Sequence, residues 1–204
     1  MAYITLNRKS LAINYSYLQQ LFKKNSIEWA PVLKMLCGNK TYLEYVLSLG
    51  DEQVCDARLS NLKKIKAINP NKETIYIKPP AKRSIKNVVK YADVSFNTEF
   101  TTIKWLSEEA VKQEKIHRII IMIELGDLRE GILGEHLMAF YKKIFELPNI
   151  KISGIGANLN CLSGVMPSKD KLIQLSLYEQ LIEAKFGKKI DFVSGGSSVM
   201  IPLL

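Results

Sequence analysis

Two patterns of apolar and polar positions alternate along this chain: short apolar runs, and segments in which apolar residues recur at helical spacing. Short, continuous apolar runs bounded by turn residues are typical of strands that are covered on both faces. They predict seven core strands, at residues 29–34, 53–56, 74–78, 93–97, 117–125, 151–158 and 190–194, after a short first strand "YITL". Segments with helical spacing lie between them. The pattern predicts helices from a cap at Asn7 and from about Thr41, Ser60, Arg83, Glu99, Gly134 and Lys169.

This regular alternation of strand and helix predicts the fold class. Strands that alternate with helices are parallel and joined by right-handed crossovers, either in an open doubly wound sheet or in an eight-stranded barrel. No G-x-G-x-x-G follows the first core strand, which disfavours the dinucleotide-binding version. We therefore predict an α/β fold, a TIM-like (β/α) barrel that spans residues 1–204 as one incomplete domain and stops before its eighth strand.

Length, charge and cysteine usage narrow the class of protein. The 204 residues, 47% of them hydrophobic, can bury one substantial core. The start "MAYITLNRKS" lacks the pattern of a secretion signal and no apolar run is long enough to span a membrane, so we expect a cytoplasmic protein without a membrane partner. The net charge of +9 is spread over every predicted helix without a basic tract, which disfavours nucleic acid and favours anionic small molecules.

Metal chemistry finds no support in the sequence. The three cysteines, Cys37, Cys55 and Cys161, are widely spaced, and we expect them to be buried reduced thiols. His117 and His136 have no partner at metal-ligand spacing, so we expect packing roles for both and no metal site.

Polar residues collect at the predicted carboxyl ends of the strands, where the reactive groups of such barrels lie. They are Lys34, Cys55, Asp56, Arg58, Asn97, Glu99, Glu124, Asp127, Arg129, Asn158, Asn160 and the turn "SGGSS" at 194–198. A glycine-serine turn at a strand end can direct backbone N–H groups and hydroxyls at one phosphate. A strand-end lysine together with a phosphate-binding turn on one barrel mouth suits pyridoxal 5'-phosphate.

Seven segments carry a family resemblance: "ITLNRKSLAINYSYL", "PVLKMLCGN", "VCDARLSNLKKI", "ADVSFNTE", "IIMIELGDLREGI", "SGIGANLNCLSG" and "DFVSGGSS". In this order they resemble the amino-terminal barrel of the alanine racemase-like, fold type III, pyridoxal phosphate enzymes. Within the family they are most similar to the ornithine racemase and alanine/ornithine racemase branch. The resemblance implies an amino-acid racemase that interconverts L- and D-amino acids through an imine on a lysine.

The resemblance also implies roles for individual residues. Lys34 would form the imine and serve as one proton-transfer base, and Arg129 would lie on the substrate side. The phosphate would bind at Ser194, Gly195, Gly196, Ser197 and Ser198. Asn158 stands where several relatives carry a histidine beside the cofactor ring. The chain ends at Leu204, before the family's eighth strand and before the carboxyl-terminal β domain, which supplies the second base.

Alternatives stay open at this stage. A non-catalytic, single-domain pyridoxal phosphate-binding protein and a structural remnant that binds nothing both fit parts of the pattern. Arg58 and Arg129 either lower the pKa of the Lys34 amine or form structural pairs with Asp56, Glu124 or Asp127. The open strand edge predicts that the chain self-associates, for example as a homodimer, or that it exists as part of a longer protein. We expect the short chain alone to have negligible racemase activity.

Overall fold

The computed structural model describes residues 5–50, 52–196 and 198–204. It divides into two compact units between Ile77 and Lys78. In each unit, strands and helices alternate along the chain as the sequence predicts, and every pair of neighbouring strands within a unit is parallel.

The described residues of the amino-terminal unit form three α-helices and two strands. They are α1 (Arg8–Lys24), α2 (Lys40–Leu47), β1 (Val54–Asp56), α3 (Leu59–Ile68) and β2 (Thr74–Tyr76), with a short 3₁₀ helix at Lys34–Leu36. As predicted, Asn7 caps α1, and its side chain accepts a hydrogen bond from the N–H of Ser10 at 3.0 Å. All residues of β1 and β2 are buried, which explains why their sequences show no polar alternation.

The predicted strand at 29–34 is largely wrong. Of this segment only Val32 forms a β-bridge, parallel to Cys55. Pro31 has no N–H to donate to a ladder, and Trp29 packs its ring against Tyr15 and Phe22 of α1, with centroids 5.0 and 5.5 Å apart. The predicted first strand "YITL" begins outside the described residues, and its Thr5 and Leu6 lie in no strand.

In the carboxyl-terminal unit, the part of the chain that the structure describes forms four strands and four α-helices. They are α4 (Ile85–Tyr91), β3 (Val94–Asn97), α5 (Phe100–Lys112), β4 (His117–Met122), α6 (Gly134–Phe145), β5 (Ile150–Gly156), α7 (Lys169–Phe186) and β6 (Phe192–Ser194), with 3₁₀ helices at Lys82–Ser84 and Ser198–Leu203. Strands β3 to β6 pair in sequence order. The centre of the core is β4, where Ile119, Ile120, Ile121 and Met122 are at most 1% exposed.

A buried polar chain links two strands of this unit. The Nε2 atom of His117 lies 2.8 Å from the hydroxyl of Ser95, and the side-chain amide of Asn97 donates to the carbonyl and the hydroxyl of Ser95. His117 is therefore a core residue, which confirms its predicted packing role. Its pKa falls to about 4, because burial disfavours the charged ring.

We expect His117 to make folding stability depend on pH. Its pKa is lower in the folded state than in the unfolded state, so the unfolded chain binds more protons as the pH falls below the ordinary histidine value. Stability should therefore fall by about 2 kcal/mol between about pH 6.5 and about pH 5, at roughly 1.4 kcal/mol per pKa unit. Urea unfolding of wild type and His117→Gln measures this, since the variant should lose the dependence. The control is the exposed His136. If stability depended less on pH in His136→Gln than in His117→Gln, the assignment to His117 would be contradicted.

Candidate functional site

Lys34 begins the 3₁₀ helix Lys34–Leu36 rather than ending a strand. The preceding Leu33 is buried and donates its N–H to the carbonyl of Cys55 at 2.8 Å, which anchors the segment beside β1. The helix closes at Cys37, whose φ of +50° turns the chain away. The side chain of Lys34 is exposed, and its amine makes no hydrogen bond or ion pair with another described residue.

Arg58 contacts this segment with its guanidinium group. Its Nη1 lies 3.4 Å from the Sγ of Cys37 and 3.5 Å from the carbonyl oxygen of Lys34. The contact with Cys37 raises the pKa of Arg58. The guanidinium does not pair with Asp56, as one alternative held. Instead the fully buried Asp56 carboxylate accepts from the backbone N–H of Arg58 at 2.8 Å and from the side chain of Asn61 at 3.0 Å, which makes it a structural residue at the start of α3.

Asp127 fastens the loop after β4 to the loop after β5. Its carboxylate, 1% exposed, accepts hydrogen bonds from three consecutive N–H groups, those of Cys161, Leu162 and Ser163, at 3.3, 3.0 and 3.2 Å. The Ser163 hydroxyl also donates to the Asp127 carbonyl at 2.8 Å. The alternative that Asp127 pairs with an arginine is therefore wrong among the described residues.

Replacing Asp127 with asparagine should destabilise this unit. An amide offers one acceptor oxygen and places an NH₂ group against backbone donors, so at least one of the three N–H groups loses its charged acceptor, at a cost of about 1.5–3 kcal/mol. The free energy of unfolding in urea measures the loss. Asp170, exposed in the first turn of α7, is the control, and Asp170→Asn should change stability by less than about 1 kcal/mol. Equal effects of the two variants would contradict the role of Asp127.

Arg129 and Asn158 are joined through Glu130, a residue that no sequence pattern indicated. The Nε of Arg129 lies 2.8 Å from Oε2 of Glu130, and the side-chain amide of Asn158 donates to Oε1 of the same carboxylate. Glu124, another proposed partner of Arg129, instead accepts from the N–H groups of Gly126 and Leu128 and closes the turn. The one signal for Glu130 in the sequence is its place next to Arg129 in "LREG".

The glycine-serine turn follows β6 at Ser194. Ser197 lies outside the described residues, while Ser194, Gly195, Gly196 and Ser198 are described. Gly196 has a φ of +104°, and a Cβ atom there would lie 2.8 Å from the carbonyl oxygen of Ala157. Only glycine fits this position. Neither Gly195 nor Gly196 donates its N–H group to another described residue, so both donors are available to a ligand.

The remaining candidates have structural roles or exposed positions. Asn97 is fully buried in the polar chain with His117, and Glu99 stands at the cap position of α5. Cys55 is buried, and its pKa rises to about 12 because burial disfavours the thiolate. The prediction that all three cysteines are buried is wrong, since Cys37 and Cys161 are exposed. Among the described residues there is no group of three or more side chains that could hold a metal ion.

These residues fit pyridoxal phosphate at two points. The exposed amine of Lys34, which has no partner among the described residues, suits the aldehyde. The N–H groups of Gly195 and Gly196, which donate to no other described residue, suit the phosphate. Lys34 and Arg58 belong to the amino-terminal unit, whereas Arg129, Asn158 and the turn belong to the carboxyl-terminal unit. Their roles stay predictions.

Comparison with known proteins identifies the family. The alanine racemase N-terminal domain matches residues 6–203. The chain belongs to this family. The match confirms the resemblance that the sequence segments indicate. Pyridoxal phosphate is the cofactor of alanine racemase-like enzymes, so the cofactor prediction is confirmed at the level of the family.

Two racemases are similar to this member of the family. Ornithine racemase from Acetoanaerobium sticklandii is 37% identical over 202 residues, which cover 98% of this chain and 57% of the relative. Lysine racemase from Thermotoga maritima is 25% identical over 195 residues, which cover 96% of this chain and 54% of the relative. The chain thus spans little more than half the length of these relatives.

Solved structures confirm the fold class. Alanine racemase from Clostridium difficile 630, in complex with cycloserine, has a TM-score of 0.76 at 14% identity, over 93% of this chain and 53% of that chain. PipY from Synechococcus elongatus PCC7942 has a TM-score of 0.78 at 14% identity, over 93% of this chain and 91% of that chain. At such identities the likeness concerns the fold, which is that of the alanine racemase barrel. No described helix has both the length and the apolar character needed to cross a membrane.

Proposed function

We propose that this chain is the cofactor-binding barrel of a pyridoxal phosphate-dependent amino-acid racemase. The observation that carries the proposal is the similarity to ornithine racemase, which extends over 98% of the chain at 37% identity. The lysine racemase similarity supports the same reaction on a second diamino acid. We therefore propose that the substrate is an amino acid with an amine on its side chain. Alanine, which lacks this amine, is the first amino acid to compare with it.

The residues of this chain have two kinds of proposed role: some bind the ligand, and one transfers a proton. Pyridoxal phosphate, when bound, delocalises the charge that remains after the α-proton leaves the substrate. The amine of Lys34 would hold the cofactor and, when free, would take or return a proton at the substrate α-carbon on one face. The N–H groups of Gly195 and Gly196 would bind the phosphate. The guanidinium of Arg129, which pairs with Glu130, would face the substrate carboxylate.

A second candidate function is a non-catalytic pyridoxal phosphate-binding protein. It is supported by the likeness to PipY, of which one structure has pyridoxal phosphate bound and a TM-score of 0.74 over 89% of that chain. Both candidates bind the cofactor, so binding alone does not separate them. Self-association as a homodimer and a cytoplasmic location stay predictions under either function.

Exchange of the α-proton separates the two candidates. The chain, and the longest natural form of its gene product, are loaded with pyridoxal phosphate and incubated in D₂O with L-ornithine, L-lysine or L-alanine. The proposal expects deuterium at the α-carbon and formation of the D-isomer by the longest form, fastest for the diamino acids. Cofactor binding without exchange in any form would favour the carrier, and absence of cofactor binding would reject both functions.

A further inference from the structure

Glu130 is the point at which two expected site residues meet. Its side chain is 12% exposed, against 40% for Arg129. One carboxylate oxygen accepts from Nε of Arg129 at 2.8 Å, and the other accepts from Nδ2 of Asn158. Glu130 therefore connects the loop after β4 with the end of β5.

The backbone of Glu130 is fixed on both sides. On one side Asp127 clamps the loop through three N–H groups. On the other, Ile132 donates to the carbonyl of Met122 at 2.8 Å and accepts from the N–H of Glu124 at 3.0 Å. Between them Gly131 has a φ of +146°, and a Cβ there would lie 2.3 Å from the Glu124 nitrogen, so the loop lies directly against β4. A carboxylate on such a backbone is held in one place.

Asn158 is fixed in the same way. The N–H of its neighbour Ala157 donates to the carbonyl of Ser194 at 3.1 Å, and the Cα of Asn158 lies 3.8 Å from the position of a Cβ on Gly196. Asn158 thus stands between the carboxylate of Glu130 and the glycine-serine turn. Rotation of its carboxamide would exchange a donor face for an acceptor face.

We propose that Glu130 is a positioning residue that sets the direction of the Asn158 carboxamide. An ionised carboxylate accepts hydrogen bonds and donates none, so it binds the NH₂ of Asn158 and turns the carbonyl oxygen away from itself. Asn158 then offers an acceptor to the ligand, suited to an N–H or O–H group of the cofactor or substrate. The identity of that ligand rests on the proposed function, whereas the orientation of the amide does not.

The orientation is tested first without cofactor. In ¹⁵N-labelled chain, the side-chain NH₂ signals of Asn158 are identified by their loss in Asn158→Leu. We expect these signals to be shifted downfield and protected from exchange in wild type, and to lose both properties in Glu130→Ala. Unchanged signals in Glu130→Ala would overturn the proposal, whether or not the chain binds pyridoxal phosphate.

The consequence for the ligand is tested by titrating pyridoxal phosphate and following the visible absorbance of the bound cofactor. Glu130→Gln, which keeps size but can bind either face of an amide, should weaken binding about tenfold and shift the absorbance maximum. In an Asn158→Leu background the same change should have little further effect, because the two residues act as one unit. Glu135→Gln on the exposed start of α6 is the control. Equal losses in both backgrounds, or none, would overturn the positioning role, while absence of binding by wild type would reject the proposed function alone.

Discussion

Replacing Lys34 with alanine should abolish covalent retention of pyridoxal phosphate. In wild type, reduction with borohydride should fix one cofactor to the chain, visible as a mass increase of the peptide that contains Lys34. The variant should show no increase, because the amine that attaches the cofactor is gone. Racemisation by the longest active form should fall by at least about 10²–10⁴-fold, the range for loss of a proton-transfer group.

Lys40 provides the matched control for this substitution. It lies six positions further on, at the start of α2, and its side chain is 78% exposed and pairs only loosely with Glu44 at 3.6 Å. Lys40→Ala should retain the cofactor adduct and the rate. Retention of the adduct in Lys34→Ala would mean that another lysine attaches the cofactor, and the assignment of Lys34 would fall.

A methyl group at Gly196 should distort the turn that we propose binds the phosphate. In Gly196→Ala the new Cβ would lie 2.8 Å from the carbonyl oxygen of Ala157, so the turn must shift and its N–H groups lose their direction. Loss of one or two hydrogen bonds to a dianion, at about 1.5–3 kcal/mol each, predicts at least about tenfold weaker binding of pyridoxal phosphate. Absorbance titration measures the affinity, and competition with inorganic phosphate shows whether the loss concerns the phosphate group.

Gly187 separates the steric effect from the effect of backbone conformation. It also has a positive φ, +60°, at the end of α7, but a Cβ there meets no atom within 4 Å. Gly187→Ala should therefore cost about 1 kcal/mol of stability from the left-handed conformation and leave cofactor affinity unchanged. If both alanine variants lowered affinity equally, the proposed phosphate site would be wrong.

The candidate site could be recognised in the sequence only in part, and the roles of its residues stay predictions. The glycines of the turn and the lysine are recognisable because their chemistry is rare and their order matches a family. Glu130 was missed because its importance comes from Asn158, which lies 28 positions away. A charged residue in a loop has no periodicity, so no local pattern distinguishes a largely covered carboxylate that bridges two residues from a solvated one.

Local sequence by itself determined the order of the helices and of the strands from β1 to β6. Helical and strand periodicity, a cap at Asn7 and buried apolar runs are short-range properties, and they predicted the alternating parallel fold that the structure has. Tertiary structure alone decided what those patterns leave open. It placed Lys34 in a 3₁₀ helix because Pro31 and the packing of Trp29 interrupt the expected strand, and it exposed Cys37 and Cys161. It also directed Asp127 and Glu130 to partners on a distant loop, because buried polar groups take whichever donors the folded chain brings near them.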